Sequence, residues 1–253
     1  MREQSLYIIF LVTVFFFSSF SVYHVNAQVQ QSINYQIQND SINFGGGLST
    51  STNYRQESTF GEISTGESNS ALYRLKAGYQ QMQEVYLALS GGSDVVMDGA
   101  ISGVGGGMSN GSTTLTAITD SPSGYQLTIK AANEPAMQSN SYSIDDYVPS
   151  GAVPDIDFTI SSTDAYFGFS PFGNDTPDKF KTNGSACNIS GVASTTACWE
   201  GLSTTTETIA IRTSPNHPAG TATTLYFKVG IGSAVSQPAG VYTATSTVTL
   251  LAL

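Results

Sequence analysis

Apolar and polar residues alternate along several short stretches of this chain, most clearly over Tyr125–Ala131. The apolar positions of that stretch are Tyr125, Leu127, Ile129 and Ala131. Because successive side chains of a strand point to opposite sides of a sheet, these positions share one face and the polar residues between them share the other. The alternation predicts a half-buried strand of an antiparallel sheet.

Similar stretches, rich in Thr and Val, recur between residue 83 and the end of the sequence. They cover residues 84–89, 112–119, 157–161, 206–213, 223–231 and 241–253. β-Branched side chains favour a pleated surface, and turn sequences with Gly and Pro precede two of the stretches. Many short strands of this kind predict an all-β fold, an Ig-like antiparallel β-sandwich over residues 83–253.

The predicted sandwich has more residues than its strands require, since one Ig-like sandwich needs roughly 100. We therefore expect long insertions at residues 133–153 and 170–203, where Pro, Gly and Asn cluster. The final stretch, residues 241–253, either completes the sandwich of its own chain or pairs with an open sheet edge of a neighbour.

Residues 28–82 are polar and contain a short repeat that ends in tyrosine. Its copies are residues 32–35 (Ser-Ile-Asn-Tyr), 51–54 (Ser-Thr-Asn-Tyr) and, in degenerate form, 70–73 (Ser-Ala-Leu-Tyr). The closing tyrosines are 19 residues apart, and glycines, including the run 45–47, lie between the copies. The repeat predicts short strands separated by glycine turns, with one aromatic anchor per unit. A flexible linker is the alternative.

The N-terminus has the three parts of a secretory signal peptide. Arg2 provides a positive charge, residues 6–20 are mostly apolar, and Val25 and Ala27 occupy the −3 and −1 positions of a cleavage site. The apolar core is shorter than the roughly 20 residues that span a bilayer. We therefore expect residues 1–27 to be cleaved rather than kept as an anchor. The mature protein is then extracytoplasmic, secreted or at the cell surface, with no membrane span.

The composition argues against anionic partners. The net charge is −10, and only 11% of the residues are charged. Nine Lys and Arg side chains offer little to neutralise a phosphate backbone, so we expect no nucleic acid partner. Attraction to anionic lipid by charge is disfavoured for the same reason.

Cys187 and Cys198 are the only cysteines of the chain. In an oxidising compartment, two cysteines joined by a Gly-containing connector usually pair, so we expect a disulfide between them. A metal site is the alternative, but two cysteines without nearby histidines or further cysteines cannot complete a tetrahedral zinc site.

Two strand sequences carry a family resemblance: Gly-Tyr-Gln-Leu-Thr-Ile-Lys-Ala at residues 124–131 and a Thr-rich sequence at residues 239–249. Both resemble strands of WxL-type cell-wall-binding domains and of uncharacterised exported β-rich surface proteins of small-genome bacteria. For WxL-type domains, the resemblance implies non-covalent attachment to peptidoglycan. The single tryptophan stands in Trp199-Glu200-Gly201-Leu202, one residue farther from its leucine than in a Trp-x-Leu signature.

Residues with catalytic or metal-binding chemistry are few. His217 is the only histidine after residue 27 and lies in a turn sequence, where we expect an exposed loop position rather than a catalytic base. The candidate carboxylates are Asp145, Asp146, Asp155 and Asp157 for a hydrolase, and Asp175 and Asp178 for calcium. Solvated loop carboxylates are the alternative, and we expect no cofactor.

Aromatic residues cluster in the sequence on both sides of the cysteines: Tyr166, Phe167, Phe169, Phe172 and Trp199. Such side chains stack on sugars or anchor interfaces, and packing in the core is the alternative. We expect a non-catalytic exported protein with a structural or adhesive role at the cell surface. A module that binds cell-wall or extracellular glycan, or other surface proteins, is the second hypothesis, and a hydrolase is the third.

Overall fold

The computed structural model describes residues 30–31, 36–37, 44–51, 55–61, 65–70, 74–79, 85–151 and 153–253. The predicted signal peptide, residues 1–27, lies outside the described residues. The chain divides into two compact units, Met1–Ile42 and Asn43–Leu253. The described residues of the first unit form one antiparallel hairpin, in which β1 (Gln30–Gln31) pairs with β2 (Gln36–Ile37).

Two further hairpins begin the second unit. In the first, β3 (Gly45–Thr50) pairs with β4 (Arg55–Phe60), and in the second, β5 (Gly66–Asn69) pairs with β6 (Arg74–Ala77). In all three hairpins, four residues separate the two strands. In the sequence, these positions are the copies of the tyrosine repeat. Apart from Ser51 and Ser70 they lie outside the described residues, so the aromatic anchors stay a prediction.

The glycine run 45–47 corrects one expectation from the repeat. We predicted glycine turns between the strands, but Gly45, Gly46 and Gly47 form the first half of β3. A Cβ at Gly46, whose φ is +140°, would overlap the main chain of Ser58 on the partner strand. Glycine here permits a close approach of the two strands rather than a turn.

The rest of the second unit consists of short and long strands. Their bounds are β7 Leu87–Gly91, β8 Gly107–Thr119, β9 Tyr125–Ala131, β10 Met137–Ser139, β11 Tyr142–Asp146, β12 Ala165–Gly173, β13 Lys181–Thr182, β14 Val192–Ala193, β15 Glu200–Gly201, β16 Glu207–Arg212, β17 Thr221–Ile231, β18 Thr243–Ala244 and β19 Ser246–Ala252. A three-residue 3₁₀-helix, Asp178–Phe180, precedes β13.

These strands build two main sheets that share one core. The larger sheet has the order β18-β10-β11-β12-β17-β8-β7, with β15 paired to β12, and the smaller sheet has the order β16-β9-β19. Leu127 and Ile129 of β9 are fully buried, and they belong to the same cluster as Leu225 of β17 and Phe169 of β12. Burying apolar side chains from both sheets is the main force that holds such layers together.

The all-β, sandwich-like fold predicted from the alternation is therefore confirmed. Strand β9 has the predicted bounds, and Tyr125, Leu127, Ile129 and Ala131 are all buried. The finer Ig-like description stays a prediction, and one pair of the larger sheet, β11 with β12, is parallel. The final strand β19 pairs antiparallel with β9 of its own chain. Of the two alternatives for residues 241–253, pairing within the chain is therefore the one observed.

Two expectations about chain segments are wrong. Residues 157–161 form no strand. The insertion predicted at residues 133–153 contains β10 and β11, which belong to the larger sheet. The insertion predicted at residues 170–203 is present in its main part, because residues 174–199 lie outside both main sheets and hold only the 3₁₀-helix and the separate β13–β14 pair.

No helix among the described residues has both the length and the apolar character needed to cross a membrane.

Candidate functional site

Strand β12 carries four of the five aromatic candidates, two on each face. Phe167 and Phe169 point into the core between the sheets and are 2% and 1% exposed. Tyr166 and Phe172 lie on the opposite face of the strand and are half-buried. Packing in the core therefore accounts for Phe167 and Phe169, and the outer face of β12 is the place where an aromatic side chain can meet a ligand.

Trp199, the fifth candidate, is also buried, at 2% exposure. Its ring packs edge-on against Phe158, with 5.7 Å between the ring centroids. Its indole Nε1 donates a hydrogen bond to the carbonyl of Thr196 at 2.9 Å. Trp199 and Asp155 also exchange two main-chain hydrogen bonds, of 2.8 and 3.1 Å. Neither face of this indole is open enough to stack on a sugar.

Trp199 belongs to a small second core on the outer face of the larger sheet. Tyr147, Phe158 and Trp199 are its buried members, and Tyr166 and Tyr226 pack against it. The Nζ of Lys228 lies 4.5 Å from the Trp199 ring centroid, an attractive arrangement of a cation over an aromatic face. Burial of Lys228 lowers the pKa of its ammonium group.

The predicted disulfide between Cys187 and Cys198 is present, with the two Cα atoms 5.6 Å apart. Both cysteines are buried. The Oγ of Ser170 on β12 donates a buried hydrogen bond to the carbonyl of Ala197 at 2.7 Å. The disulfide closes the loop of residues 187–198, and the Ser170 hydrogen bond fastens the end of that loop to the larger sheet.

A shallow groove lies beside the disulfide loop, at the end of β12. Its volume is about 640 Å³, and its lining residues are Phe172, Thr182, Asn183, Gly184, Gly191, Val192, Ala193, Ser194 and Thr195. We call this surface the Phe172 groove. The antiparallel pair β13–β14 and the residues next to it supply all of the lining except Phe172, which β12 contributes.

The Phe172 ring is held from the side by Tyr226 of β17. The two centroids are 6.4 Å apart and the ring planes are at 71°, an edge-on contact that suits aromatic pairs. Thr182, Asn183, Ser194 and Thr195 line the groove with hydroxyl and amide groups, Val192 and Ala193 add apolar surface, and none of the described lining residues carries a charge. An uncharged, largely apolar surface with an aromatic ring and a few polar groups is compatible with stacking on the apolar face of a sugar.

The two candidate calcium ligands are placed in separate ion pairs. Asp175 accepts a hydrogen bond of 2.8 Å from the Tyr125 hydroxyl and pairs with Arg212 at 3.2 Å. Asp178 pairs with Lys181 at 2.9 Å. Within the described residues, no group of three or more His, Cys, Asp or Glu side chains converges in a way that would hold a metal ion.

The candidate hydrolase carboxylates differ in their surroundings. Asp155 accepts hydrogen bonds from the hydroxyls of Tyr147 and Ser150, both at 2.7 Å. Burial pushes the pKa of Asp155 up, but the hydrogen bonds from Ser150 and Tyr147 outweigh it and hold the pKa below its usual value. Asp145 and Asp157 are exposed. The contacts of Asp155 with Tyr147 and Ser150 are those of a carboxylate that stabilises a loop.

Among the four candidate hydrolase carboxylates, Asp146 at the end of β11 has a strongly raised pKa. Its carboxylate accepts the main-chain N–H of Ala136 at 3.1 Å. Burial raises the pKa of Asp146 to about 6, the Ala136 hydrogen bond opposes the rise, and the charges of Glu134 and Asp145 add to it. The folded chain therefore holds this proton to a higher pH than the unfolded chain, in which aspartate has a pKa of about 3.9.

The raised pKa predicts that Asp146 makes the fold less stable as the pH rises from about 4 to about 6, because only the folded state still binds the proton there. Asp146→Asn should remove this dependence. It should add about 1–2 kcal/mol at neutral pH, a figure reduced for solvent screening at a half-buried site. Urea unfolding at several pH values measures both effects. Asp98→Asn, at an exposed carboxylate, is the control, and an unchanged pH profile for Asp146→Asn would contradict the assignment.

His217 is half-buried rather than exposed as expected. Its ring meets that of Tyr86 edge-on, with 5.4 Å between centroids. Sequence reasoning also passed over Tyr226 and Lys228, although the alternation of β17 places both on the face opposite Leu225 and Phe227.

Comparison with protein-family models, with curated proteins and with solved structures finds no match to this chain.

Proposed function

We propose that this chain is a non-catalytic exported protein with a structural or adhesive role at the cell surface. The Cys187–Cys198 disulfide is the observation that carries the proposal. Disulfides form and persist in oxidising compartments outside the cytoplasm and are rare within it. The signal-peptide pattern of residues 1–27 supports the same route.

The exposed hairpin β3–β4 supports an adhesive role. All six residues of β3 are exposed, and Phe44 and Phe60 beside its paired ends are 87% and 74% exposed. A single two-stranded hairpin is marginally stable in water, so contact with another surface would favour it. Large exposed apolar side chains are common at sites of protein association.

The surroundings of the carboxylates support a non-catalytic role. Asp155, Asp175 and Asp178 each have hydrogen-bonding or ionic partners within the fold. Asp146 has a pKa near the working range of a general acid, and its main-chain contact with Ala136 gives it a structural role.

Fractionation of the native host, combined with labelling of intact cells by a membrane-impermeant amine reagent, tests the proposal. We expect labelled protein in the envelope or the medium. Protein found only in the cytoplasmic fraction and unlabelled would overturn the proposal. A cytoplasmic enzyme of the same cells, which should stay unlabelled, shows that the cells are intact.

Glycan binding is the second candidate, and the Phe172 groove is the observation that favours it. The resemblance to WxL-type domains points to peptidoglycan as the glycan. Trp199 is unsuitable as a probe of this function, because its burial means that its removal would damage the fold.

Phe172→Ala should weaken retention on insoluble peptidoglycan about three- to tenfold, the effect of losing one aromatic contact. Pulldown with peptidoglycan and common polysaccharides measures this. Val96→Ala, at a valine that is 87% exposed and does not line the groove, is the matched control. Failure of the wild-type protein to bind any of the glycans, or equal binding by Phe172→Ala, would reject this candidate and leave the adhesive role standing.

A further inference from the structure

A cleft opens between the two sheets, and it shares no lining residue with the Phe172 groove. It has a volume of about 610 Å³, within the range of roughly 300–1,000 Å³ that small-molecule sites occupy. One wall is the segment that follows β7, residues 91–97, and the other is β18 with the start of β19. We call it the inter-sheet cleft.

The floor of the cleft consists of core side chains of the larger sheet. They are Leu115, Met137, Phe167, Leu225 and Phe227. Val248 of β19 and Val95 of the facing segment extend the apolar surface towards the mouth, and both are only partly buried. The floor side chains are themselves 1–8% exposed, so an apolar ligand gains mainly by leaving water itself and by covering the partly buried Val95 and Val248.

The mouth of the cleft is polar and exposed. Ser93, Thr243, Thr245 and Ser246 line it with hydroxyl groups. Each wall also carries a strongly exposed valine next to a lining residue, Val96 at 87% and Val241 at 81%. An apolar floor below a polar rim suits a ligand with a chain at one end and a polar group at the other.

The charge at the rim selects the polar end of the ligand. Asp94 is the only carboxylate among the described lining residues, and no Lys or Arg is among them. Asp94 is exposed and forms no ion pair with another described residue. The phenol of Tyr242 is engaged with the carbonyl of Pro238 at 2.9 Å. A cationic group at the rim gains from Asp94, whereas an anionic group meets like charge.

We propose that the inter-sheet cleft binds an amphiphile with a single apolar chain and a cationic head group. The chain lies on the floor between the sheets, and the head group lies at the mouth beside Asp94. This site is independent of the proposed adhesive role and of the Phe172 groove.

Isothermal titration calorimetry with alkyltrimethylammonium ions, each below its critical micelle concentration, tests the proposal. We expect saturable binding of one ion per chain, with a negative heat-capacity change, as for burial of apolar surface. Affinity should rise from the octyl to the dodecyl ion by up to about fourfold per methylene. Dodecyl sulfate, with the same chain and an anionic head, should bind about two- to fivefold more weakly than dodecyltrimethylammonium, because one exposed carboxylate contributes modestly.

Two pairs of variants distinguish binding of the cation in this cleft from its general attraction to an acidic protein. Ser246→Trp places a large side chain at the mouth and should abolish binding, whereas Thr247→Trp, on the opposite face of the same strand, should not. Asp94→Asn should reduce the preference for the cationic head, whereas Asp98→Asn, at a carboxylate that does not line the cleft, should leave it unchanged. Circular dichroism of each variant shows whether the fold is kept.

Three results would overturn the proposal. They are no saturable binding of the dodecyl ion, equal binding of dodecyl sulfate, and unchanged binding by a folded Ser246→Trp protein. If Ser246→Trp does not fold, the comparison of Asp94→Asn with Asp98→Asn decides, and equal effects of these two would overturn it.

Discussion

Trp199→Ala should lower the free energy of unfolding by about 3–5 kcal/mol, the usual cost of removing a buried tryptophan or phenylalanine side chain. The indole is 2% exposed and packs against Phe158. Its removal leaves a cavity in the small outer core, and it also takes away the surface on which Lys228 lies. Urea unfolding under oxidising conditions, followed by circular dichroism, measures the loss.

Val192→Ala is the matched control for this variant. Val192 belongs to the same disulfide loop but is 71% exposed. We expect its change to stay within about 0.5 kcal/mol, as for most surface substitutions. A loss below about 1 kcal/mol for Trp199→Ala would show that the indole is not a core residue, and Trp199 would return as a candidate for glycan contact.

Removal of the disulfide should have the second large effect. Cys187→Ala combined with Cys198→Ala should lower the free energy of unfolding by about 2–4 kcal/mol, because the unfolded chain regains the freedom of the open loop. Two small cavities add to the loss, since both cysteines are buried. Chemical unfolding of the oxidised wild type and of the double variant gives the difference.

Reduction provides the control for the disulfide prediction. A thiol reductant should destabilise the wild-type protein by a similar amount and leave the double variant unchanged. Equal stability of oxidised and reduced wild-type protein would contradict the view that the disulfide secures the loop before Trp199.

Local pattern was enough to predict the strands that have one polar face. Strand β9 follows from alternation alone, because each of its apolar positions meets the core. The same reasoning fails at residues 157–161, where Phe158 stacks on the Tyr147 ring but its segment forms no strand. Alternation reports which residues are apolar, and it does not report whether a partner strand is available.

The disulfide was predictable because the cysteines are the only two in the chain and lie close in sequence. The roles of the aromatic residues were not. Phe167 and Phe172 lie on one strand, yet the first faces the core and the second faces solvent. Only the packing of β16, β9 and β19 over one face of β12 decides which aromatic residues are covered.

The inter-sheet cleft had no signal in the sequence. Its lining residues come from segments more than 100 positions apart, such as Leu115 and Val248. They meet because β19 returns to pair with β9, and a pairing of that range depends on the whole fold. The tyrosine repeat, by contrast, is a local feature, and its 19-residue spacing recurs directly in the three hairpins.

Intact-mass analysis of the native protein, taken from separated cell fractions without reductant, tests the central claim most directly. Export with oxidation predicts protein in the extracytoplasmic fractions that begins at Gln28 and holds the Cys187–Cys198 disulfide. A cytoplasmic protein that still contains residues 1–27 and has both thiols reduced would contradict it.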